Sequence, residues 1–343
     1  MANQLALELH QVDIKGAYLN GELNDNEVLY MQFLPGYKPH DAGTRVLRLK
    51  KTLYGLKQSG HRWYQKLSSI FDSFNFTKCS VDQAVFFKAD TLKNEITVVA
   101  VHIDDCTIAA SNTHLIEDFK AGLCRHVKVT DLGKLHWMLS VEIKRDRKAI
   151  TIHLSQRAYI DSILRHYNFD ELKPLSSPMD PSIHLTTEQS PTSTAQHTIM
   201  CDKPYHEAVG ALNWATLTTR PDITFAVATV TRFAANPGPA HWEAVKQIFR
   251  YLSSTCDLWL TYGETKRALE GYADADGSMN KDRRAITGYA FLIDGGAVSW
   301  SSKWQEIISL STTESEYVAA THGMKEALWL RSVMSTRVRT ASG

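Results

Sequence analysis

The sequence predicts an α+β protein with two folded units, and three observations point to that class. Residues 96–103 are rich in β-branched side chains, break at Asp104-Asp105 and resume as an apolar run over 106–110, which is typical of a β-hairpin. Residues 174–204 are filled with Ser, Thr and Pro and show no helical or strand period. Beyond them, three strand candidates precede one long helical pattern.

Length and composition leave room for two separately packed domains. The 343 residues are 43% hydrophobic and 22% charged, with a net charge of +1. These values are ordinary for a globular protein, and no apolar run has the length needed to cross a bilayer. Residues 1–9 lack the features of a secretory signal, so we expect a reducing compartment. The cysteines are odd in number and scattered, which predicts free thiols at Cys79, Cys106, Cys124, Cys201 and Cys256.

The first unit opens with a predicted strand and contains a basic stretch. Leu7 and Leu9 alternate with polar residues up to Asp13, the period of a half-buried strand. From Arg45 to Lys66 the chain carries basic residues and no acidic one, interleaved with aromatic side chains. That composition suits a phosphate backbone with stacked bases. An amphipathic helix with a solvated basic face and its aromatics in the core explains the stretch equally well.

The second half is predicted to begin with helices and to end in a further α/β unit. Residues 205–262 have a helical pattern, and prolines are expected to mark helix starts at Pro221, Pro237 and Pro239. Three strand candidates separated by turn residues follow at residues 269–276, 285–294 and 297–304. A long helix then begins near Ser311. Many α+β domains share this order of elements.

Carboxylates in the first unit could hold a divalent metal. Asp104 and Asp105 end a predicted buried strand, where adjacent negative charges repel unless a cation offsets them. Magnesium is usually held by one or two protein carboxylates and by substrate phosphates, and Asp13 on another strand could complete such a site. The alternative is structural, because Asp is a favoured turn residue.

In the second unit Asp274, Asp276 and Glu314 allow the same two interpretations. Glu314 follows Ser311 by three residues, which is the spacing of a capping box that stabilises a helix start. Asp274 on the first strand and Glu314 on the helix could instead converge on one metal. The pattern alone leaves both roles open.

A series of segments carries a specific resemblance along nearly the whole chain. In order they are LHQVDIKGAYLNGEL, LKKTLYGLKQSGHRWYQKL, VHIDDCTIAAS, DLGKLHWMLSVEI, TRPDITFAVATVTRFAANPGPAHWEAVKQIFRYL, GYADADGS, ITGYAFLIDGGAVSWSSKWQ and LSTTESEYVAATHGMKEALWLR. Together they resemble the polymerase of copia-type long-terminal-repeat retrotransposons. The resemblance implies a reverse-transcriptase palm, ferredoxin-like α/β in form, and a truncated RNase H-like domain. It assigns residues 1–173 to the palm without most of the fingers, 174–204 to a linker, 205–262 to a helical thumb or connection, 268–334 to the RNase H-like part and 335–343 to an unrelated tail.

The resemblance also implies roles for individual residues. Asp13, Asp104 and Asp105 match the catalytic carboxylates that bind two Mg²⁺ (or Mn²⁺) ions. Asp274 and Glu314 match two metal-binding catalytic carboxylates of RNase H. Tyr18 falls where an aromatic ring excludes a ribose 2′-hydroxyl. The segment that contacts template and nucleotide is matched by Lys57, Gln58, Ser59 and Arg62.

The implied activity is RNA-directed DNA synthesis with RNase H cleavage. The expected partners are an RNA template, a DNA primer, an RNA–DNA hybrid and deoxynucleoside triphosphates, with no membrane, in a cytoplasmic virus-like particle. The alternative is a non-catalytic retrotransposon remnant that at most binds nucleic acid. The sequence does not define an oligomeric state.

Departures from the family pattern make us expect an impaired, truncated chain. The family has Tyr at His102, Pro at Gly60 and commonly Gly at Ser140. No Lys or Arg precedes Asp13, although the family's fingers supply basic groups to the triphosphate. No Asp follows Asp294, although RNase H needs a further one.

Overall fold

The chain divides into two compact units in the computed structural model. The structure describes residues 2–39, 41, 43–263, 268–276 and 284–338. The first unit comprises Met1–Leu135 with Arg331–Gly343, and the second comprises His136–Leu330. Each unit is described separately below.

The first unit is built around a six-stranded sheet with strand order β4-β5-β6-β7-β1-β8. Its strands are Glu8–Ile14 (β1), Tyr30–Met31 (β2), Leu47–Arg48 (β3), Thr77–Lys78 (β4), Val85–Asp90 (β5), Glu95–His102 (β6), Asp105–Ala110 (β7) and Val129–Lys134 (β8). Strands β2 and β3 form a separate two-stranded ribbon. The helices are Ser59–Ser73 (α1) and Thr113–Cys124 (α2).

Alternation along the central strands decides which side chains enter the core of the first unit. In β7, Cys106, Ile108 and Ala110 are fully buried, whereas the residues between them face the other way. The core is aromatic at its centre, because the Phe71 ring of α1 meets the Phe86 ring edge-on at a centroid distance of 4.8 Å. Helix α2 starts where the Asn112 side chain accepts a hydrogen bond from the Leu115 amide.

The second unit contains two small sheets and a cluster of helices. Its strands are Trp137–Met138 (β9), Val141–Asp146 (β10), Thr151–Ser155 (β11), Leu260–Tyr262 (β12), Glu270–Asp276 (β13), Ile286–Ile293 (β14) and Gly296–Trp304 (β15). The sheet orders are β12-β11-β10-β9 and β13-β14-β15. The helices are Arg157–His166 (α3), Thr194–Cys201 (α4), Tyr205–Thr218 (α5), Thr224–Thr231 (α6), Pro239–Ser254 (α7) and Thr312–Val338 (α8).

A buried arginine and its ion pair hold the helices of the second unit together. Arg220 is only 2% exposed, and its guanidinium donates to Asp222 at 2.7 Å and to the Thr255 hydroxyl at 2.6 Å. The Tyr251 hydroxyl donates to the same carboxylate at 2.8 Å. Since Thr255 follows α7 and Arg220 follows α5, these bonds fix the ends of two helices against each other.

Several predicted elements are confirmed. The hairpin forms as β6 and β7, with antiparallel pairing from Thr97↔Ala110 to His102↔Asp105. The three later strand candidates appear as β13, β14 and β15, and helix starts occur at Pro221 and Pro239. All five cysteines are free. Among the described residues, no helix combines the length and apolarity needed to span a membrane.

The stretch predicted to be a linker, residues 174–204, is more ordered than expected. It contains α4, and Met200 is buried in the core of the helical cluster. Backbone carbonyls along this stretch accept hydrogen bonds from α7, at Leu175 from Ser254 and at Thr186 from His241. A Ser/Thr/Pro-rich composition was therefore a poor guide here, because side chains of α7 satisfy the backbone groups of the segment.

Three other boundaries differ from the prediction. Residues 260–262 were predicted as helical but form β12, because Leu260, Thr261 and Tyr262 pair with β11. That pairing ties residues 141–155 to the second unit, so the units divide after Leu135 rather than near residue 173. Helix α8 continues past Met334 to Val338, whereas residues 339–343 of the predicted tail lie outside the described residues.

Candidate functional site

Two of the predicted catalytic carboxylates lie opposite each other on adjacent strands. In the antiparallel pairing of β1 and β7, Asp13 is the register partner of Asp105. Val12 and Cys106, which flank them on the two strands, are fully buried, so both carboxylates project from the face opposite the core. The Ile14 amide donates to the Asp104 carbonyl at 2.8 Å, which fixes the end of β1 to the hairpin turn. The fold therefore places all three aspartates at one end of the sheet.

The turn that carries Asp104 has a strained backbone. It consists of residues 103–104 between β6 and β7, and Ile103 adopts a φ of 59°. This left-handed conformation is unfavourable for a β-branched residue and costs on the order of 1–3 kcal/mol. The Trp63 indole N–H of α1 donates to the Ile103 carbonyl at 2.7 Å. A tertiary hydrogen bond thus supports the strained turn beside the aspartates.

The three carboxylates influence one another electrostatically. The pKa of Asp13 is raised, first by burial and then by the negative charges of Asp104 and Asp105, with a smaller opposing effect of Lys15. Beneath them, burial and the same three carboxylates raise the pKa of the Cys106 thiol to about 12, so that the thiol stays protonated. Within the described residues none of the three aspartates forms an ion pair.

The donor set has the right chemistry for a divalent metal but is not arranged as a finished metal site. Carboxylate oxygens are the ligands that Mg²⁺ and Mn²⁺ prefer, and a cation would offset the repulsion that raises the pKa of Asp13. Nevertheless, no group of three or more His, Cys, Asp or Glu side chains in the described part of the chain is placed to hold a metal ion. Asp105 is also engaged by Gln11, whose Nε2 donates to its carboxylate at 3.3 Å.

Tyr18 lies in the wall of a small apolar cleft that also contains Ile103 of the hairpin turn. It belongs to the 3-10 turn Ala17–Asn20 that follows β1, and its ring centroid is 5.1 Å from that of Tyr54. The cleft has a volume of about 290 Å³, and Trp63 and Ile103 also line it. Gly60 faces the Tyr18 ring, since a Cβ added there would lie 3.9 Å from it. Tyr18 is therefore positioned by packing against α1 and its preceding loop.

Four residues near the start of α1 were predicted to contact template and nucleotide, and two of them have structural partners within the protein. Lys57 is exposed and Gln58 is half-buried just before the helix. Ser59 is buried, and its hydroxyl donates to the Leu53 carbonyl at 2.6 Å. Arg62 pairs with Glu27 at 2.7 Å. The last two residues thus have structural partners that sequence reasoning did not anticipate.

The basic stretch is partly neutralised by acids from outside it. Besides Arg62, Arg45 pairs with Asp41 at 2.7 Å and Lys66 pairs with Glu22 at 2.9 Å. The remaining basic residues are exposed and form no ion pair with any residue that the structure describes, namely Arg48, Lys50, Lys51 and Lys57. We call these four residues the basic surface. The exposed Tyr30 is the cross-strand partner of Arg48 in the β2–β3 ribbon.

The second predicted pair of carboxylates, Asp274 and Glu314, is not linked by a hydrogen bond in the structure. Asp274 is exposed on β13, opposite Gly288 of β14. Glu314 caps α8: its amide donates to the Ser311 hydroxyl at 3.1 Å, and its carboxylate accepts from the Leu310 amide at 2.6 Å. The structural role considered for Glu314 is therefore realised, with Leu310 as the reciprocal partner. No hydrogen bond connects Asp274 with Glu314, both of which are described.

Comparison with known proteins agrees with the geometry of the first unit. Residues 1–181 match the family described as reverse transcriptase (RNA-dependent DNA polymerase). The chain is 40% identical over 332 residues to the retrovirus-related Pol polyprotein from transposon TNT 1-94 of Nicotiana tabacum, covering 96% of this chain and 25% of the relative. It is 33% identical over 330 residues to the corresponding polyprotein from transposon RE1 of Arabidopsis thaliana, covering 95% of this chain and 22% of that relative.

A third relative, the Pol polyprotein from transposon RE2 of Arabidopsis thaliana, is 32% identical over 330 residues, with 95% of this chain and 22% of the relative covered. The fold and the family match define a protein with a reverse transcriptase domain. Within that class, the chain belongs to the Pol polyproteins of copia-type retrotransposons. It spans about a quarter of the length of these relatives.

Proposed function

We propose that the first unit carries the nucleotide-adding centre of an RNA-directed DNA polymerase, with Asp13, Asp104 and Asp105 as its catalytic carboxylates. The observation that carries the proposal is the register pairing of Asp13 with Asp105. Two carboxylates at directly opposite positions of adjacent strands repel each other and destabilise the fold unless a bound cation offsets their charge. The strained turn at Ile103 supports the same interpretation, because strain of this kind is concentrated at functional sites.

These aspartates would hold Mg²⁺ or Mn²⁺ together with the phosphates of a deoxynucleoside triphosphate. The bound cations would lower the pKa of the attacking 3′-hydroxyl and stabilise the leaving oxygen. Gln11 keeps the Asp105 carboxylate oriented through its amide, and the Asp104 carbonyl is held by the Ile14 amide. Neither contact removes the negative charge, so the carboxylates stay available as ligands.

We propose that Tyr18 discriminates against ribonucleotides. Its ring packs against Tyr54 and shares a cleft with Trp63 and with Ile103, the residue that precedes Asp104. A ring that cannot move aside would clash with a 2′-hydroxyl. Tyr18→Ala should therefore raise the use of ribonucleotides relative to deoxynucleotides, whereas Tyr64→Ala, a matched change in the same cleft, should not.

We propose that the RNA template and the DNA primer bind to the basic surface and to Gln58. Four exposed cations that form no ion pair among the described residues suit a phosphate backbone, and Tyr30 opposite Arg48 offers a ring for stacking. Ser59 and Arg62 are positioning residues in this scheme. Ser59 fixes the start of α1 through Leu53, and Arg62 holds Glu27.

A second proposed activity is RNase H cleavage of the RNA strand of an RNA–DNA hybrid, with Asp274 and Glu314. It is supported by the packing of α8 on the strand that carries Asp274, because a Cβ added at Gly323 of α8 would lie 2.9 Å from the Ala273 Cβ. Glu314 would have to leave its capping contact with Leu310 to bind a metal. Hydrolysis of a labelled hybrid that is lost in Asp274→Asn and kept in Asp257→Asn would support this activity.

The polymerase proposal is tested by extension of a DNA primer on an RNA template in Mg²⁺. We expect synthesis by the unaltered chain, loss of synthesis in Asp104→Asn, and full synthesis in Asp25→Asn, a matched change of an exposed carboxylate of the same unit. Equal synthesis in all three proteins would contradict the proposal. Primer–template binding without synthesis in any of them would favour the alternative, a non-catalytic remnant.

A further inference from the structure

A second cleft lies in the second unit between the β14–β15 hairpin and α8. Its volume is about 490 Å³, which is large enough for a nucleotide. Its lining residues include neither Asp274 nor Glu314. The cleft is thus distinct from both sets of carboxylates considered above.

The sheet wall of this cleft is polar. The register of β14 and β15 pairs Thr287 with Lys303 and Tyr289 with Ser301. These four side chains therefore share one face of the sheet, and all four line the cleft. They place three hydroxyl groups on the same face as the ammonium group of Lys303.

The helical wall of the cleft adds positive charge. Val318, His322 and Lys325 of α8 are spaced by four and three residues, so they share one face of the helix and line the cleft. Lys325 and His322 are exposed, and neither forms an ion pair with a described residue. Two cationic or protonatable side chains thus face the wall that carries Lys303.

The nearby acids do not neutralise this cluster completely. Glu306 pairs with Lys303 at 3.1 Å and so cancels one charge. Glu326, which follows Lys325 in the chain, accepts a hydrogen bond from the Ser299 hydroxyl at 2.7 Å. Lys325 therefore remains an uncommitted cation on the helical wall.

The floor of the cleft is held by hydrogen bonds within the protein. The Gln305 amide donates to the Thr287 hydroxyl at 3.0 Å and to the Ser315 carbonyl at 2.9 Å, linking the sheet to the first turn of α8. Gln305 is buried, so these bonds are shielded from water. Ligand binding would consequently require little ordering of the walls.

We propose that this cleft binds a nucleotide phosphate, with Lys303, His322 and Lys325 around the phosphate. Lysine binds phosphate as a point charge, and the hydroxyls of Tyr289 and Ser301 supply neutral donors. The exposed side chain of Ile307 gives the cleft an apolar side against which a base can pack. The phosphate can belong to a free nucleotide or to a nucleic-acid strand. The inference does not depend on the polymerase proposal, because it concerns a different unit and different residues.

The test is equilibrium binding of AMP and of a short single-stranded oligodeoxynucleotide to the full chain at low salt. We expect Lys325→Gln to weaken AMP binding by roughly tenfold, the loss typical of one charge-assisted hydrogen bond. His322→Gln should also weaken it. Lys173→Gln, an exposed lysine of the same unit outside the cleft, should leave it unchanged. Since Lys325 is exposed, its variant is expected to keep the thermal stability of the parent chain.

The two sources of phosphate give different results. Tighter binding of AMP than of the oligonucleotide, with both weakened by Lys325→Gln, would identify a free nucleotide as the ligand. Tighter binding of the oligonucleotide with the same sensitivity would identify a strand. Undetectable AMP binding by the parent chain, or equal affinity in the parent and in Lys325→Gln, would overturn the proposal.

Discussion

The indole N–H of Trp63 donates to the carbonyl of Ile103 at 2.7 Å, and this bond joins α1 to the turn that carries Asp104. Trp63 is 2% exposed and packs in the core of the first unit. The helix that follows the basic surface is thus coupled directly to the turn that carries Asp104. Ile103 has a φ of 59°, which is unfavourable for a β-branched residue, and this tertiary hydrogen bond stabilises that conformation.

Replacement of Trp63 by Phe should loosen the turn. The Ile103 carbonyl loses its donor and the core loses volume, so we expect the free energy of unfolding to fall by about 1–3 kcal/mol. Urea unfolding measures this change. Trp137→Phe provides the control, because Trp137 is 40% exposed, and it should change stability by less than about 0.5 kcal/mol. Equal losses in both variants would show that the indole bond is unimportant.

Asp13→Asn should stabilise the first unit at neutral pH. The pKa of Asp13 is raised in the folded state, so the folded chain binds a proton more readily than the unfolded chain does. Stability therefore falls as pH rises above about 4, where the unfolded carboxyl ionises. Asp13→Asn should flatten this fall, and Asp25→Asn should not. The test is to measure the free energy of unfolding of the three proteins between about pH 4 and pH 7. If its slope against pH in Asp13→Asn equals that of the parent chain, the expectation is contradicted.

Removal of Arg220 should strongly destabilise the helical cluster. Burial raises the pKa of Asp222, but the hydrogen bonds and charge of Arg220 outweigh that effect, and the pKa lies below its usual range. Arg220→Met removes the donor of the Thr255 carbonyl and the charge partner of Asp222, whose side chain is 31% exposed, so we expect a cost of about 1.5–3 kcal/mol at neutral pH. Because protonation removes the charge of Asp222, the difference from the parent chain should shrink below about pH 4.

The exposed pair of Arg157 with Asp257 is the control for Arg220. Arg157→Met should cost less than about 1 kcal/mol, since surface ion pairs contribute little. A loss in Arg220→Met as small as this would show that the buried network is not stabilising.

His241 should make the second unit sensitive to mild acid. Its Nδ1 accepts from the Gly238 amide at 2.8 Å, its Nε2 donates to the Thr186 carbonyl at 3.0 Å, and its ring stacks on Phe233. Burial lowers the pKa of His241, partly offset by the bond to Thr186. The unfolded chain therefore takes up the proton first, and stability should fall as pH drops below about 6.5.

The variant His241→Phe tests this pH dependence. It should lower the stability at neutral pH, since the Gly238 amide and the Thr186 carbonyl lose their partner, but it should remove most of the slope below about pH 6.5. His197→Phe, at an exposed histidine of α4, should keep the slope. Hydrogen exchange of residues 174–201 would follow the expected loosening directly.

The hairpin and the later strands were predictable because their signal is local. Alternation and β-branched side chains define β6, β7, β14 and β15 within a few residues of their observed bounds. The pairing of Asp13 with Asp105 was not predictable from pattern alone, since β1 and β7 are far apart in sequence. The prediction that these residues share one site rested on the motif resemblance and not on periodicity.

The errors arose where tertiary contacts override composition. Helix α4 begins with a capping box in which Ser193 and Gln196 bond reciprocally, a signal that was present in the sequence and was overlooked among the Ser, Thr and Pro residues. The partners of Arg62 and Lys66 lie outside the basic stretch, at Glu27 and Glu22, so the charge of that stretch was overestimated. The structure is needed to show which basic residues are paired with acids and which belong to the basic surface.

We propose that Asp13, Asp104 and Asp105 form one divalent-cation centre. Binding of Mn²⁺ can be followed through the enhanced relaxation of water protons by the protein-bound ion. We expect enhancement in the parent chain and in Asp25→Asn, and a loss of at least about tenfold in affinity in Asp105→Asn, the effect of removing one charged ligand. Equal Mn²⁺ affinity in the parent chain and in Asp105→Asn would contradict it.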